Sequence, residues 1–196
     1  MIKLHFTDLM KNSVISLFVL FSLYSCSESE YSRLVKSEMD KGVYHDSLFL
    51  DMEFGITKKE FFDRCWKLNK QGIIKEGPRN EHVEYRLNNN EEKGKDIIML
   101  YYGRFNDEKI MTGINLVFYY EAWSLWNKSL HSDQLMNIVS DSLKSWFPGN
   151  DFINVSLKSK GNISVKIDGN RRIMIEPLKD SREINARIDD LRYIID

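Results

Sequence analysis

Ile56-Thr57-Lys58-Lys59-Glu60-Phe61-Phe62-Asp63-Arg64-Cys65-Trp66-Lys67-Leu68 carries the strongest local signal in the chain. Thr57 and Glu60 have the spacing of a capping box. The threonine hydroxyl can accept from the Glu60 amide while the Glu60 carboxylate reaches back to the Thr57 amide. Ile56 and Phe61 occupy the two positions of a hydrophobic staple. Phe61, Cys65 and Leu68 form one helical stripe, with Phe62 and Trp66 beside it. Gly72 sits where a C-terminal cap belongs. The stretch predicts a helix from Lys58 to about Gln71, with Trp66 in the core.

Downstream the period changes from helix to strand. Val83, Tyr85 and Leu87 alternate, Asn88 to Lys95 is a polar loop, and Ile97 to Tyr102 is a continuous apolar run. Such a run predicts a central strand. Gly103 to Lys109 has turn chemistry, with Asn106-Asp107 at its tip, and Ile114, Leu116, Phe118 and Tyr120 alternate after it. The order of elements then recurs. Ser132 is the expected N-cap of a helix carrying Leu135, Met136, Val139, Leu143 and Trp146, stopped by Pro148-Gly149. Ile153, Val155 and Leu157 alternate before a turn at Lys160-Gly161. Ile163, Val165 and Ile167 alternate before a turn at Asp168-Gly169, and Ile173 and Ile175 complete that hairpin. Ile184, Ala186 and Ile188 fit a strand better than the competing helix, because a meander is already running. Upstream, Leu48, Leu50, Met52 and Phe54 alternate as a short strand. Tyr31, Leu34, Val35 and Met39 have helical spacing ahead of Gly42.

The fold class that follows is α+β with antiparallel sheet: two consecutive helix-plus-antiparallel-meander units packed as one domain over residues 43–196. The halves run about 43–121 and 130–196. Hydrophobic residues at 42% and aromatics at 12% argue for a folded body.

The N-terminal region reads differently. Val14 to Tyr24 is an apolar run of 11 residues. A membrane-spanning helix needs about 20, so a signal peptide is expected instead of an anchor helix. Met10-Lys11-Asn12 makes a better start to it than residues 1–9, which contain Asp8. Leu23-Tyr24-Ser25-Cys26 closes the run and Ser27-Glu28-Ser29-Glu30 follows. This pattern resembles a bacterial lipoprotein signal. The resemblance implies that residues 1–25 are removed, that Cys26 is lipidated with palmitate-type chains, and that 26–42 form a lipidated tether and short helix.

Two further resemblances are carried by longer stretches. Phe54-Gly55-Ile56-Thr57-Lys58-Lys59-Glu60-Phe61, followed by a helix and a meander, is similar to the opening of SmpA/OmlA-type small outer-membrane assembly lipoproteins. Tyr44–Leu50, Lys67–Gly72, Ala122–Lys128 and Lys166–Arg172 look like a group of uncharacterised Bacteroidota lipoproteins. That likeness implies outer-membrane residence and brings no activity with it.

Charge and motif content narrow the function classes. Lys3, Lys11 and Asp8 precede Cys26, so cleavage moves the net charge from −1 to −2. No basic field is available to recruit nucleic acid, so no nucleic-acid partner is expected. Cys65 is left as a single thiol among apolar residues, the pattern of a small buried hydrophobe. His45, His82 and His131 lack the spacing of a helical metal site, and no metal or cofactor is expected. Ser47, Ser132 and Ser142 have no nucleophile-elbow context. Asp189-Asp190 reads as a solvated turn pair, and Arg171-Arg172 beside Asp168 as the charged face of a hairpin. The chain is expected not to be an enzyme. Tyr119, Tyr120, Trp123 and Trp126 form an aromatic cluster that either plugs the junction between the halves or lines a ligand site. On the second reading Tyr120, Trp123 and Trp126 are the binding residues, with an envelope protein or glycan as partner. The leading expectation is a lipid-anchored binding or structural module of the cell envelope, held to the membrane through Cys26. The competing one is a hydrolase of envelope polymers.

Overall fold

The computed structural model of the chain describes residues 29–87, 95–157, 161–176 and 178–194. Cys26, most of the 88–95 loop and Lys160 lie outside the described residues. Helix α1 spans Glu30–Asp40 and α2 spans Lys58–Lys70. The capping box at Thr57 forms in full: the Glu60 amide donates to the Thr57 hydroxyl at 3.2 Å, and the Thr57 amide donates to the Glu60 carboxylate at 2.7 Å. Phe61, Cys65 and Leu68 are buried, as the stripe predicts. Trp66 is not core: it is 63% exposed, and Phe62 is exposed as well. At 3.6 residues per turn, positions 62 and 66 lie roughly 100–140° around the helix from the stripe, beyond the edge of the buried face.

Four strands follow: β1 (Ile74–Glu76), β2 (Val83–Leu87), β3 (Ile97–Phe105) and β4 (Met111–Tyr120). The first has only three residues, too few to show alternation, and sequence reasoning misses it. Helix α3 (Ser132–Trp146) comes next, then β5 (Ile153–Leu157), β6 (Gly161–Asp168), β7 (Arg171–Ile175) and β8 (Ile184–Asp190). The eight strands make one antiparallel sheet in the order β1-β2-β3-β4-β8-β7-β6-β5. The fold is thus mixed α+β, and each of α2 and α3 precedes a four-stranded meander. The meanders join where β4 meets β8. No helix among the described residues is long and apolar enough to cross a membrane.

Three local expectations are corrected. Residues 48–54 are not a strand. Leu50 and Asp51 have positive φ, and the chain doubles back so that Leu48 N donates to Met52 O at 2.8 Å. Met52 and Phe54 are still buried. The N-cap of α3 is His131, one residue before Ser132; the Ser132 hydroxyl instead donates to Asp180 O at 2.6 Å, a tertiary bond that overrides local capping. The β6–β7 turn is Gly169-Asn170, because Asp168 is already paired with Arg171 in the ladder.

Strand pairing assigns side chains to two faces. Met99, Tyr101, Ile114, Leu116, Phe118, Ile173, Ile175, Ala186 and Ile188 join one core cluster with Phe61, Cys65 and Leu68 of α2 and Leu135, Val139 and Leu143 of α3. The opposite face carries a row of Arg104, Gly113, Asp189 and Arg172 from β3, β4, β8 and β7. The neighbouring row holds Asn115, Arg187 and Met174.

Candidate functional site

The aromatic cluster expected near residue 120 does not form one surface. Tyr120 belongs to the core and is 2% exposed. Trp123 is half-buried, and its indole N–H donates to Ser181 O at 2.9 Å, tying the loop after β4 to the loop before β8. The Arg182 guanidinium stands 5.5 Å from the same ring. Trp126 alone is open, at 89%. The alternation that places Tyr120 on the core face of β4 also removes it from any site built with Trp126.

Exposed aromatics gather instead at α2. A groove of about 680 Å³ lies between α2 and the β1–β2 edge, with Phe62, Trp66, Ile74 and Tyr102 among its apolar lining. The two strands are pinned beside the helix by short links. Asn69 Nδ2 donates to Ile74 O at 3.3 Å, and Gly77 N donates to His82 O at 2.9 Å across the β1–β2 connection. Phe62 and Tyr102 meet edge-on, with ring centroids 6.4 Å apart. The Lys70 ammonium sits 3.5 Å from the Trp66 ring centroid, so the indole face already attracts a cation. Asp63, Glu76 and Glu81 stand on the rim and are exposed. Cys65 forms part of the floor. Burial pushes its thiol up to about 11, which keeps it protonated at neutral pH and unsuited to nucleophilic work. The signal for this groove was present in the sequence as two aromatics off the buried stripe of a capped helix.

The charged pairs beside β7 and β8 are not solvated. Asp189 and Asp190 are both 0% exposed, and Arg171 is buried with its guanidinium 4.6 Å from the Phe147 ring. That burial lowers the Arg171 pKa from its ordinary value. Arg172 Nη2 pairs with Asp189 at 2.7 Å. Asp190 accepts from Asn170 Nδ2 at 3.0 Å and from Arg192 Nε at 2.9 Å. Lys166 and Asp168 form a buried pair at 2.6 Å. Glu38 accepts from Asn150 Nδ2 at 2.8 Å and from the Gly169 amide at 3.2 Å. Adjacent like charges read as exposed because isolated burial is prohibitive; here each carboxylate meets its counter-charge or donors only after the strands pair. Among the described residues, no group of three or more His, Cys, Asp or Glu side chains is placed to hold a metal ion.

Family models, curated proteins and solved structures contain no match to this chain.

Proposed function

We propose that the chain is a lipid-anchored cell-envelope protein that works as a binding module, taking its partner in the groove beside α2. The observation that carries this reading is the exposure of Trp66 and Phe62 at a groove of about 680 Å³. Large aromatic side chains left open beside a concavity hold interaction energy that folding has not used. Aromatic faces flanked by carboxylates suit the apolar face of a sugar ring or of a peptide side chain. Asp63 is already paired with Lys59 at 2.6 Å and Lys75 also lines the groove, so Glu76 and Glu81 leave only a small excess of negative charge there. The competing hydrolase reading draws less support. A catalytic acid is normally desolvated, and Asp63, Glu76 and Glu81 are all exposed.

The test is capture from native membranes with cross-linking, comparing the wild-type chain with the Phe62→Ala, Trp66→Ala double variant. At least tenfold lower recovery of the partner is expected, with the unfolding temperature nearly unchanged. Equal recovery from a folded double variant removes the groove as the binding site. The anchor is tested separately. Cys26→Ala should abolish palmitate labelling and release the chain from membranes, because two or three acyl chains hold far more firmly than one. Labelling that survives the substitution refutes the lipoprotein reading and leaves the groove untouched.

A further inference from the structure

We propose that Arg104 and Arg187, on the sheet face turned away from α2 and α3, form a binding site for a phosphate-bearing anion. Three guanidiniums converge there on one fully buried carboxylate. Arg104 donates an Nη to Asp189 Oδ1, while Arg172 Nη2 at 2.7 Å and Arg187 Nε at 3.1 Å hold Asp189 Oδ2. The arginines come from β3, β7 and β8, so pairing of the sheet, not one local loop, brings them together. Gly113 of β4 makes the convergence possible. A Cβ there would stand 2.8 Å from Ile188 O, 3.3 Å from Asp189 Oδ1 and 3.4 Å from Arg104 Nη1. Any side chain at 113 would therefore crowd the ion cluster.

The charges do not balance. Even with Arg172 set aside, Arg104 and Arg187 bring two positive charges against the single negative charge of Asp189. Among the described residues, no other carboxylate lies within ion-pair distance of either arginine. Both side chains are 31% exposed, whereas the Asp189 side chain is 0% exposed. The inner edges of the guanidiniums hold the buried carboxylate and their outer parts reach solvent. Asn115, exposed and directly opposite Arg187 in the ladder, adds an amide on the same face. Arg187 Nη2 also donates to Met174 Sδ at 3.8 Å, so Arg187 offers its Nη1 edge, while Arg104, bound to Asp189 through one Nη, keeps its Nε–Nη2 fork for an anion. A guanidinium fork matches phosphate oxygens bidentately, and a second donor edge from a separate strand suits a tetrahedral group better than a second planar carboxylate. The excess charge on a low-dielectric sheet face strengthens that attraction. The proposal does not rest on the groove reading, although Tyr102, which lines that groove, is the ladder partner of Asn115.

The test uses the full chain in non-ionic detergent. Calorimetric titration with sodium phosphate, against sodium chloride at equal ionic strength, should give saturable binding that chloride lacks. Arg104→Gln or Arg187→Gln should weaken it at least tenfold with the circular dichroism spectrum unchanged. A readout on the wild-type chain covers the case in which these variants misfold. Phosphate should protect Arg104 and Arg187 from phenylglyoxal, mapped by peptide mass, while Arg86, which is paired with Asp96 and Glu121, serves as the internal control. Short-chain phosphatidylglycerol, compared with short-chain phosphatidylcholine, separates the two sources. Protection by the anionic lipid as well as by phosphate assigns a headgroup, and protection by phosphate alone assigns a soluble phosphoryl compound. Absence of saturable binding together with unprotected Arg104 and Arg187 overturns the proposal.

Discussion

Glu38 is the one buried residue of α1, although the stripe on that helix is apolar. Burial alone would raise its carboxyl pKa. The Lys41 ammonium, the Gly169 amide and the Asn150 amide outweigh that and hold it below the ordinary value. A carboxylate with a depressed native pKa stabilises the fold above its unfolded pKa, about 4.3, and loses that contribution as pH falls through the native value. Glu38→Gln should therefore cost about 1.5–3 kcal/mol at pH 7, the range for hydrogen bonds to a charged group. The gap to wild type should persist down to about pH 4.5 and shrink in more acidic solution. Urea unfolding at stepped pH measures it, and a gap that grows on acidification contradicts this account. On α2 the costs should rank differently from the helical stripe's first reading. Phe61→Ala should cost about 3–5 kcal/mol as a core truncation, and Thr57→Ala about 1 kcal/mol as a lost cap. Trp66→Ala should stay within about 0.5–1 kcal/mol, because its ring is mostly in solvent. A Trp66 cost equal to that of Phe61 would mean that the indole is packed in solution.

Elements whose cues are local were legible in the sequence, and those set by distant partners were not. The α2 helix follows from Thr57, Glu60 and a stripe within one turn of each other. Strands β4 and β8 follow from alternation that burial matches residue for residue at Ile114, Leu116, Phe118, Ile184, Ala186 and Ile188. The 48–54 stretch misled because alternating burial of Met52 and Phe54 is achieved by a tight turn at Leu50-Asp51, closed by the isolated bridge Ser47↔Glu53, and not by pairing within the sheet. The β6–β7 turn slipped by one residue because Asp168 has a ladder partner in Arg171 and a buried one in Lys166. The candidate groove is not read from the sequence: Phe62 and Trp66 lie off the buried stripe, but the stretch predicts Trp66 in the core, and the strand that closes the groove is three residues long. The β6–β7 turn also supplies a sharp element-scale test. Gly169 has φ +54, and a Cβ there would stand 2.1 Å from Val43 O. Gly55 has φ +82 with nothing within 4 Å of a Cβ. Gly55→Ala should cost about 1 kcal/mol for the left-handed backbone alone. Gly169→Ala must also displace the Val43 backbone, and should cost at least about 2 kcal/mol more. Equal costs in thermal unfolding would show that the 43–46 segment yields freely.

Within Val35–Asp196 the two meanders share one seam. Six residue pairs, from Gly113↔Asp189 to Phe118↔Ile184, join β4 to β8. Three of these pairs, Ile114 with Ile188, Leu116 with Ala186 and Phe118 with Ile184, are apolar and buried on both sides. Arg104 of β3 extends the link to Asp189 on the other face. A meander on its own would leave β4 or β8 as an open edge and uncover the shared core, so neither half has the packing of an independent unit. Unfolding should accordingly be a single cooperative event for both meanders. Phe61 provides the test because its ring contacts, with Phe62, Tyr101, Tyr102 and Phe105, all lie in the first half. If the seam couples the halves fully, Phe61→Ala should lower the protection of the slowest β7 amides by the same about 3–5 kcal/mol that it removes from β3. Native-state hydrogen exchange read by mass spectrometry on peptides covering Ile97–Phe105 and Arg171–Ile175 makes the comparison. Loss of protection confined to β3, with β7 unchanged, would mean that the second meander survives alone and that the β4–β8 seam opens below the global transition.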